Sequence, residues 1–295
     1  MIKLIILGCI LVLSSCKVSY QDAVGIANPG DSSYGEASGV YLHGKVCLEG
    51  AFDGDETEFS MKTTFSDTSL LPPISPLSLD EDNEYHLDVG ADEWVDWVRV
   101  EVFSKDGDNF TLVESQSAVI DKDGTLYNTS GDSGIYFPTI NPGTYYINII
   151  TRNHLSVGAQ DPVPLSEDLN SSYDIDFTSE DTKYLGEPAS YGATSPYVML
   201  SGFKCLAAGD LDGNKDIDVD DRTNLADFID SLVSGHPDNI KILGYHLQDL
   251  DFSADVQEFD VASGGDIGDE SHEADTDSEL ITKNIGRTSQ IYEEL

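Results

Sequence analysis

The residues of this chain best suited to chemistry lie between Asp210 and Asp221, in the stretch DLDGNKDIDVDD. Oxygen-bearing side chains occupy positions one, three, five, nine and twelve of this stretch. They are Asp210, Asp212, Asn214, Asp218 and Asp221, and position seven, Asp216, would offer its backbone carbonyl. Because alternate residues of a tightly curled loop point inward, these oxygens can converge on one hard cation. Their order is that of a calcium-binding loop.

A helix should follow this loop and return its last carboxylate to the ion. Apolar residues recur at helical spacing directly after the loop. They are Leu225, Phe228, Ile229, Leu232 and Val233. We expect this helix to end at Gly235, because Pro237 stands just beyond it.

A second stretch repeats the pattern and begins at Asp249. Its residues at positions one, three, five, seven, nine and twelve are Asp249, Asp251, Ser253, Asp255, Gln257 and Asp260. Position eight is apolar in both copies, Ile217 in the first and Val256 in the second. The tandem copies predict two Ca²⁺ sites. The alternative is a solvated acidic surface, since aspartate is abundant throughout the chain.

The two copies resemble the duplicated calcium loops of type I dockerin domains. GDLDGNKDIDVDD and QDLDFSADVQEFD carry the likeness, which extends over residues 205–264. The resemblance implies two bound Ca²⁺ ions, folding coupled to calcium and, as in cellulosomal members, docking onto a cohesin-like protein. Position six is glycine in the family. Lys215 and Ala254 occupy it here, and Lys215 would bring a positive charge near the ion.

The overall composition is strongly acidic. The chain has 295 residues, a formal net charge of −40 and a pI near 4.1. Such a surface repels phosphate backbones, so we expect no nucleic-acid partner, and it attracts divalent cations. A hydrophobic content of 39% is enough for one medium domain and a smaller one.

The N-terminus has the pattern of an export signal followed by a tether. Residues 1–15 contain Lys3, an apolar run too short for a permanent membrane helix, and small residues at the end. The sequence LSSC resembles the lipobox of bacterial lipoproteins, which implies cleavage before Cys16 and diacylation of its thiol. The alternative is an ordinary cleaved signal. We expect an exported protein at the outer membrane or cell surface, held by a lipid anchor alone and spaced by a flexible tether over residues 16–38.

Residues 39–204 show the alternation of β-strands. Val98, Val100 and Val102 line one face of a strand. The same period recurs over residues 40–48, 59–65, 144–151 and 173–177. Lys-Asp-Gly and Asn-Pro-Gly sequences separate such segments and are typical of turns. The expected fold class is therefore mainly β, an antiparallel β-sandwich followed by a small α-helical module.

Parts of this region resemble a β-rich region that precedes dockerin-like repeats in secreted and surface proteins of environmental bacteria. The sequences EWVDWVRVEV, KDGT, PGTYYI and RNHL, between Glu93 and Leu155, carry the likeness. No biochemical activity is assigned to that region. The resemblance therefore implies an architecture and a location, and no reaction.

Besides Cys16, two cysteines survive removal of the signal, Cys47 and Cys205. In an exported protein such a pair can form a disulfide, although both could equally be buried thiols. Residues 265–295 are acidic and contain few large apolar side chains. We expect them to form a disordered tail.

Two further groups have side chains that bind ligands in other proteins. Arg152, Asn153 and His154 follow a strand and would either bind a ligand or cap the strand and hydrogen-bond a loop. Trp94 and Trp97 could stack on a sugar. Their odd spacing places them on opposite faces of a strand, so at least one should belong to the core.

The chain contains no Gly-x-Ser-x-Gly, no His-Glu-x-x-His and no glycine-rich phosphate loop, so we expect no enzymatic activity. The sequence predicts a calcium-binding, surface-anchored bacterial lipoprotein. Its β-sandwich would be non-enzymatic, and its dockerin-like module would serve as a structural cap or for protein docking. The alternative is an accessory protein of extracellular polysaccharide degradation that binds glycan or accompanies a glycoside hydrolase and docks onto a cohesin.

Overall fold

The fold is built mainly from β-strands joined in antiparallel pairs. The computed structural model describes residues 38–77, 93–171, 173–186, 195–233, 242–243, 246–250, 252, 255–256 and 277–293. The predictions for the signal peptide, for Cys16 and for residues 16–37 of the tether lie outside these ranges. Within the ranges, none of the helices combines the length and the apolar character needed to cross a lipid bilayer.

The elements follow one another in this order. The strands of the first part are β1 (Val40–Lys45), β2 (Trp94–Asp106), β3 (Asn109–Asp121), β4 (Leu126–Tyr127), β5 (Ile135–Phe137), β6 (Gly143–Ile150), β7 (Val157–Gly158), β8 (Val163–Leu165) and β9 (Tyr173–Asp176). The later strands are β10 (Tyr197–Leu200), β11 (Phe203–Leu206), β12 (Ile242–Leu243) and β13 (Asp255–Val256). The helices are α1 (Thr64–Asp67), α2 (Val219–Val233) and α3 (Asp277–Asn284), and Leu169–Ser171 form a 3-10 turn.

The larger sheet has the order β4-β3-β2-β6-β7, with β8 also paired to β6, and its pairs are antiparallel. β2 and β3 form a long hairpin whose turn places Gly107 at a φ of 62°, which suits the Lys-Asp-Gly sequence there. A second sheet has the order β5-β1-β9, in which β1 and β9 are parallel. The mainly β, largely antiparallel class predicted from the alternating pattern is confirmed.

One apolar cluster contains side chains from both sheets. Val98, Val100 and Val102 of β2 are fully buried, and so are Val40 and Leu42 of β1. Burial of a side chain of this kind stabilises a fold by about 1.5–3 kcal/mol. The alternating apolar positions therefore decide which face of each strand turns inward.

The strand predicted over residues 59–65 is not formed. Met61 makes only an isolated bridge to Phe52, and α1 begins at Thr64. Met61 and Phe65 are both buried. Because they stand four residues apart, a strand and a helical turn can both bring them to one side, so spacing alone could not separate the two structures.

The structure also differs from the prediction of a disordered tail for residues 277–293. These residues form α3 and an extended segment, residues 285–293, which we call the C-terminal strap. Leu280, Ile281 and Tyr292 are buried. A few apolar side chains were enough, because α3 packs against α2 and Tyr292 enters a group of aromatic rings.

A disulfide joins Cys47 to Cys205 and links the residues after β1 to β11. The backbones also meet here, since the amide of Leu206 donates to the carbonyl of Cys47 at 2.7 Å. β11 runs from residue 203 to 206, across the boundary that we expected at residue 204. The chain is therefore fastened to the β region five residues before the first acidic loop, Asp210 to Asp221, begins.

Replacing both cysteines by serine should lower the free energy of unfolding by about 2–5 kcal/mol, because the bond closes a long loop of the unfolded chain. The two residues are 158 positions apart. Urea denaturation of the wild type, with and without reductant, measures the effect, and the double variant should not respond to reductant. Two alkylated cysteines in the unreduced wild type, detected by mass spectrometry, would contradict the disulfide.

Candidate metal centre

The first acidic loop connects β11 to α2, and its two ends are buried. Asp210 is 3% exposed and Asp221 is 0% exposed, whereas Asp212 and Asn214 are exposed. The carboxylates of Asp210, Asp212 and Asp221 each bring one oxygen within 4.8 Å of the others. The structure thus gathers the residues at positions one, three and twelve of the predicted loop.

Backbone amides hold two of these carboxylates in place. The Oδ1 atom of Asp221 accepts from the amide of Leu211 at 2.7 Å, and its Oδ2 atom accepts from the amide of Asp218 at 2.8 Å. Asp210 uses Oδ2 to accept from the amide of Lys215 at 3.2 Å. Its Oδ1 atom is buried and has no hydrogen-bond partner among the described residues. A buried carboxylate oxygen without a partner costs free energy unless a cation meets it.

The other predicted ligands of the first loop form hydrogen bonds within the loop and lie outside the group of three carboxylates. Asn214 accepts from the amide of Asp216 at 2.7 Å and donates its side-chain amide to Asp212 at 3.0 Å. Asp218 accepts from the amide of Asp220 at 2.7 Å, at the start of α2. Among the described residues, the carboxylates of Asp216 and Asp218 are not part of the three-carboxylate group.

The electrostatics of the loop suit a divalent cation. Burial, and then the neighbouring charge of Asp221, raise the pKa of the Asp210 carboxyl to about 7. Burial also raises the pKa of Asp221. Two neighbouring buried carboxylates repel each other when both are ionised. A bound cation offsets this repulsion, so that both can lose their protons. Oxygen ligands of this kind, from a loop that ends in a helix, are those that Ca²⁺ prefers in proteins.

Lys215, which replaces the usual glycine at position six, adopts the left-handed conformation with a φ of 77°. Its ammonium group pairs with Glu293 of the C-terminal strap. Its carbonyl accepts from the amide of Ser289 at 2.9 Å. The positive charge that we expected beside the ion is therefore engaged by the strap, which also holds the conformation that lysine disfavours.

The second loop is described only in part. Asp249 is 0% exposed, and Asp255 and Val256 form β13, which pairs with β12. The remaining predicted ligands lie outside the described residues, and so does the side chain of Asp255. These remaining ligands are Asp251, Ser253, Gln257 and Asp260.

Asp277, which lies beyond the second repeat in sequence, contacts the second loop, and the spacing of the repeat did not predict this contact. Its Oδ1 atom accepts from the amide of Leu250, the second residue of the loop, at 2.6 Å. In the first loop the amide of Leu211, also the second residue, makes the same contact with Asp221. The positions are also similar, since Asp277 is the first residue of α3 and Asp221 lies in the first turn of α2. A buried apolar residue follows each aspartate four positions later, and this shared spacing was the available signal.

Arg152, Asn153 and His154 connect the two loops to the β region. The carbonyl of Asn153 accepts from the amide of Gly209, directly before the first loop, at 2.9 Å. Its side-chain amide donates to the carbonyl of Asp249, which begins the second loop, at 2.8 Å. Arg152 forms a buried ion pair with Asp96 at 3.0 Å. Of the two roles considered for this group, the structure shows the one in which it hydrogen-bonds neighbouring loops.

His154 orients Asn153. Its ring contacts Asn153 Oδ1 through Nδ1 at 2.8 Å, and its Nε2 atom accepts from the amide of Gly50 at 3.4 Å. Both contacts are satisfied together only when the neutral ring carries its proton on Nδ1. Burial, and then the charge of Arg152, lower the pKa of the imidazole from its ordinary value of 6.5 to about 3.

The stability of the protein should therefore fall in mild acid. Since the pKa of His154 is lower in the folded state, the unfolded state takes up the proton first. This contribution to stability is present above pH 6.5 and is lost as the pH falls toward 3. Near pH 4 the loss is about 3 kcal/mol. Urea denaturation of the wild type and of His154→Gln between pH 7 and pH 4 measures it. Equal acid sensitivity of the two proteins would contradict it.

Trp94 and Trp97 do not form a sugar-stacking platform. Both rings are buried and lie in one apolar cluster with Val119. The pairing of β2 with β3 shifts between Trp94 and Asp96, and a bulge of this kind moves a side chain to the other face of its strand. The expectation of opposite faces was therefore wrong, whereas the expectation of a core role holds for both rings.

Comparison of this fold and sequence with known proteins found no relative. No family model matches the chain, no curated protein matches its sequence, and no solved structure matches it.

Proposed function

We propose that the protein binds calcium and has no enzymatic activity. The observation that carries the proposal is the buried Oδ1 atom of Asp210, which lacks a hydrogen-bond partner within the described residues and belongs to the group with Asp212 and Asp221. A divalent cation at this point would meet the oxygen and relieve the repulsion between the carboxylates. Ca²⁺ suits the site better than Mg²⁺, because the ligands lie on a flexible loop and are oxygens from several residues.

The proposal includes a second ion in the second loop and the dockerin-like character of both repeats. Asp249 and Asp277 are its described candidates for ligands, and each is nearly fully buried. We assign the closing position of this loop to Asp277 rather than to Asp260. The matching contacts of Leu211 with Asp221 and of Leu250 with Asp277 support that assignment.

Within this proposal the dockerin-like module acts as a structural cap on the β region. The contacts of Asn153 with both loops and the buried ion pair of Arg152 with Asp96 support this role. We propose a β-sandwich arrangement for the two sheets, because one apolar cluster draws on both. We also propose that the protein is exported, that diacylated Cys16 attaches it to the cell surface, and that a cohesin-like partner docks onto it. These parts depend on the sequence resemblances.

Asp210→Asn tests the first calcium site, because it keeps the size of the side chain and removes its charge. Calcium at 100 times its dissociation constant should stabilise the wild type by about 2.7 kcal/mol per site. The variant should bind one ion fewer and lose this part of the increase in Tm. In the presence of chelator it should be at least as stable as the wild type, since the buried carboxylate at position 210, which has one oxygen without a partner, is removed.

Calorimetric titration of the metal-stripped protein with Ca²⁺ counts the ions, and thermal melting followed by circular dichroism measures the Tm. Mg²⁺ serves as the comparison ion. Asp174→Asn, at an exposed position of β9, is the matched control and should behave as the wild type does. A wild-type Tm that is the same in calcium and in chelator would end the proposal.

The second site has its own pair of variants. Asp277→Asn should remove the second ion from the titration, because it removes the carboxylate that closes the loop. Asp260→Asn should leave the number of ions unchanged. Retention of two ions by Asp277→Asn, together with loss of one by Asp260→Asn, would restore the spacing expected from the sequence.

The alternative role in polysaccharide degradation has no comparable support in the described part of the chain. The two tryptophan rings that could have stacked on a sugar are buried. Binding to insoluble polysaccharides would therefore have to use another surface.

A further inference from the structure

The C-terminal strap pairs with the first acidic loop through antiparallel backbone hydrogen bonds. The amide of Ile217 donates to the carbonyl of Arg287 at 2.9 Å, and the amide of Gly286 donates to the carbonyl of Ile217 at 2.8 Å. The amide of Ser289 donates to the carbonyl of Lys215 at 2.9 Å. The strap therefore engages positions six and eight of the loop, where its backbone turns.

The other end of the strap is anchored in the larger sheet by Tyr292, which is 5% exposed. Its ring lies 4.5 Å from that of Phe110 and 4.9 Å from that of Tyr146, between centroids. Its backbone exchanges two hydrogen bonds of 3.0 Å with the side chain of Asn148 on β6, and its hydroxyl donates to the carbonyl of Ala159. The strap is thus held at both ends, by the loop and by the sheet.

We propose that Tyr292 is a positioning residue for the first calcium site and acts through the C-terminal strap on Lys215. This inference rests on the calcium site proposed above. Lys215 needs a left-handed backbone for the loop to close, and a residue with a Cβ atom disfavours that conformation. The strap contacts its carbonyl and its ammonium group, so a seated strap prepares the loop for the ion.

The coupling must act in both directions. If the seated strap favours calcium binding, bound calcium favours the seated strap by the same factor. Removal of calcium should therefore loosen residues 286–289 from the loop. The backbone amides of Gly286 and Ser289 report this directly, because each donates to a carbonyl of the loop.

Calorimetry of Tyr292→Ala measures the first direction. Its dissociation constant for calcium at the first site should be about fivefold higher than in the wild type, the factor that corresponds to an unassisted left-handed lysine. Tyr292→Phe keeps the ring and loses only the bonds of the hydroxyl to the carbonyls of Ala159 and Gln160, so its effect should be smaller. Tyr173→Ala, at an exposed position, is the matched control and should leave the constant unchanged.

A second substitution separates positioning from a general loss of stability. Glycine adopts the left-handed conformation without strain. In a Lys215→Gly background the effect of Tyr292→Ala should therefore shrink to less than twofold. A purely structural role of Tyr292 would weaken binding equally in both backgrounds, and that result would overturn the proposal.

Hydrogen exchange of the unmodified protein tests the reverse direction and does not depend on the folding of any variant. Exchange at Gly286 and Ser289 should accelerate at least fivefold in chelator relative to calcium. An unchanged dissociation constant in Tyr292→Ala, or unchanged exchange at both amides, would overturn the role of the strap and leave the calcium site in place. Absence of calcium uptake by the wild type would overturn both.

Discussion

The first acidic loop is dominated by the repulsion between its buried carboxylates. Asp210 and Asp221 are nearly inaccessible to water, and their oxygens lie within 4.8 Å of each other and of Asp212. Backbone amides satisfy both oxygens of Asp221 but only one oxygen of Asp210. Without a cation, such a group lowers its free energy by keeping a proton, which is the physical meaning of the raised pKa of Asp210.

The β region supplies the rigid support for this loop. The disulfide between Cys47 and Cys205 lies five residues before the loop begins. Asn153 touches the backbone at the start of each loop and is itself oriented by His154. These contacts explain why a segment with few apolar residues can bury several charged groups. Its backbone is fixed by neighbours that already belong to the sheet.

The acidic composition shapes the fold through the pairing of its few cations. With 15 Lys and Arg residues against 55 Asp and Glu residues, the acidic side chains far outnumber the basic side chains that could pair with them. Arg152 is paired with Asp96, Lys215 with Glu293 and Lys283 with Glu49. Lys283 joins α3 to the β region, and Lys215 joins the first loop to the C-terminal strap. Arg152, whose ion pair lies within the β region, also donates to the carbonyl of His246.

Local spacing by itself determined the elements whose contacts are close in sequence. The alternation of apolar residues specified which side chains of β2 pack into the apolar cluster shared by the two sheets, because successive side chains of a strand point to opposite sides. Apolar residues at helical spacing specified α2. The order of oxygens from Asp210 to Asp221 predicted the meeting of Asp210, Asp212 and Asp221, since that geometry is internal to twelve consecutive residues, but the carboxylates of Asp216 and Asp218 lie outside the group.

Only the tertiary structure decided the features that join distant segments. Asp277 accepts a hydrogen bond from the amide of Leu250, which stands 27 residues earlier and outside the twelve-residue spacing of a loop. The C-terminal strap contacts the first loop although the two are distant in sequence. The burial of both tryptophans depends on a shift in strand pairing, which the sequence of one strand does not reveal. Such contacts are selected by the free energy of the whole packed chain, whereas the patterns that could be predicted are set by steric rules among neighbouring residues.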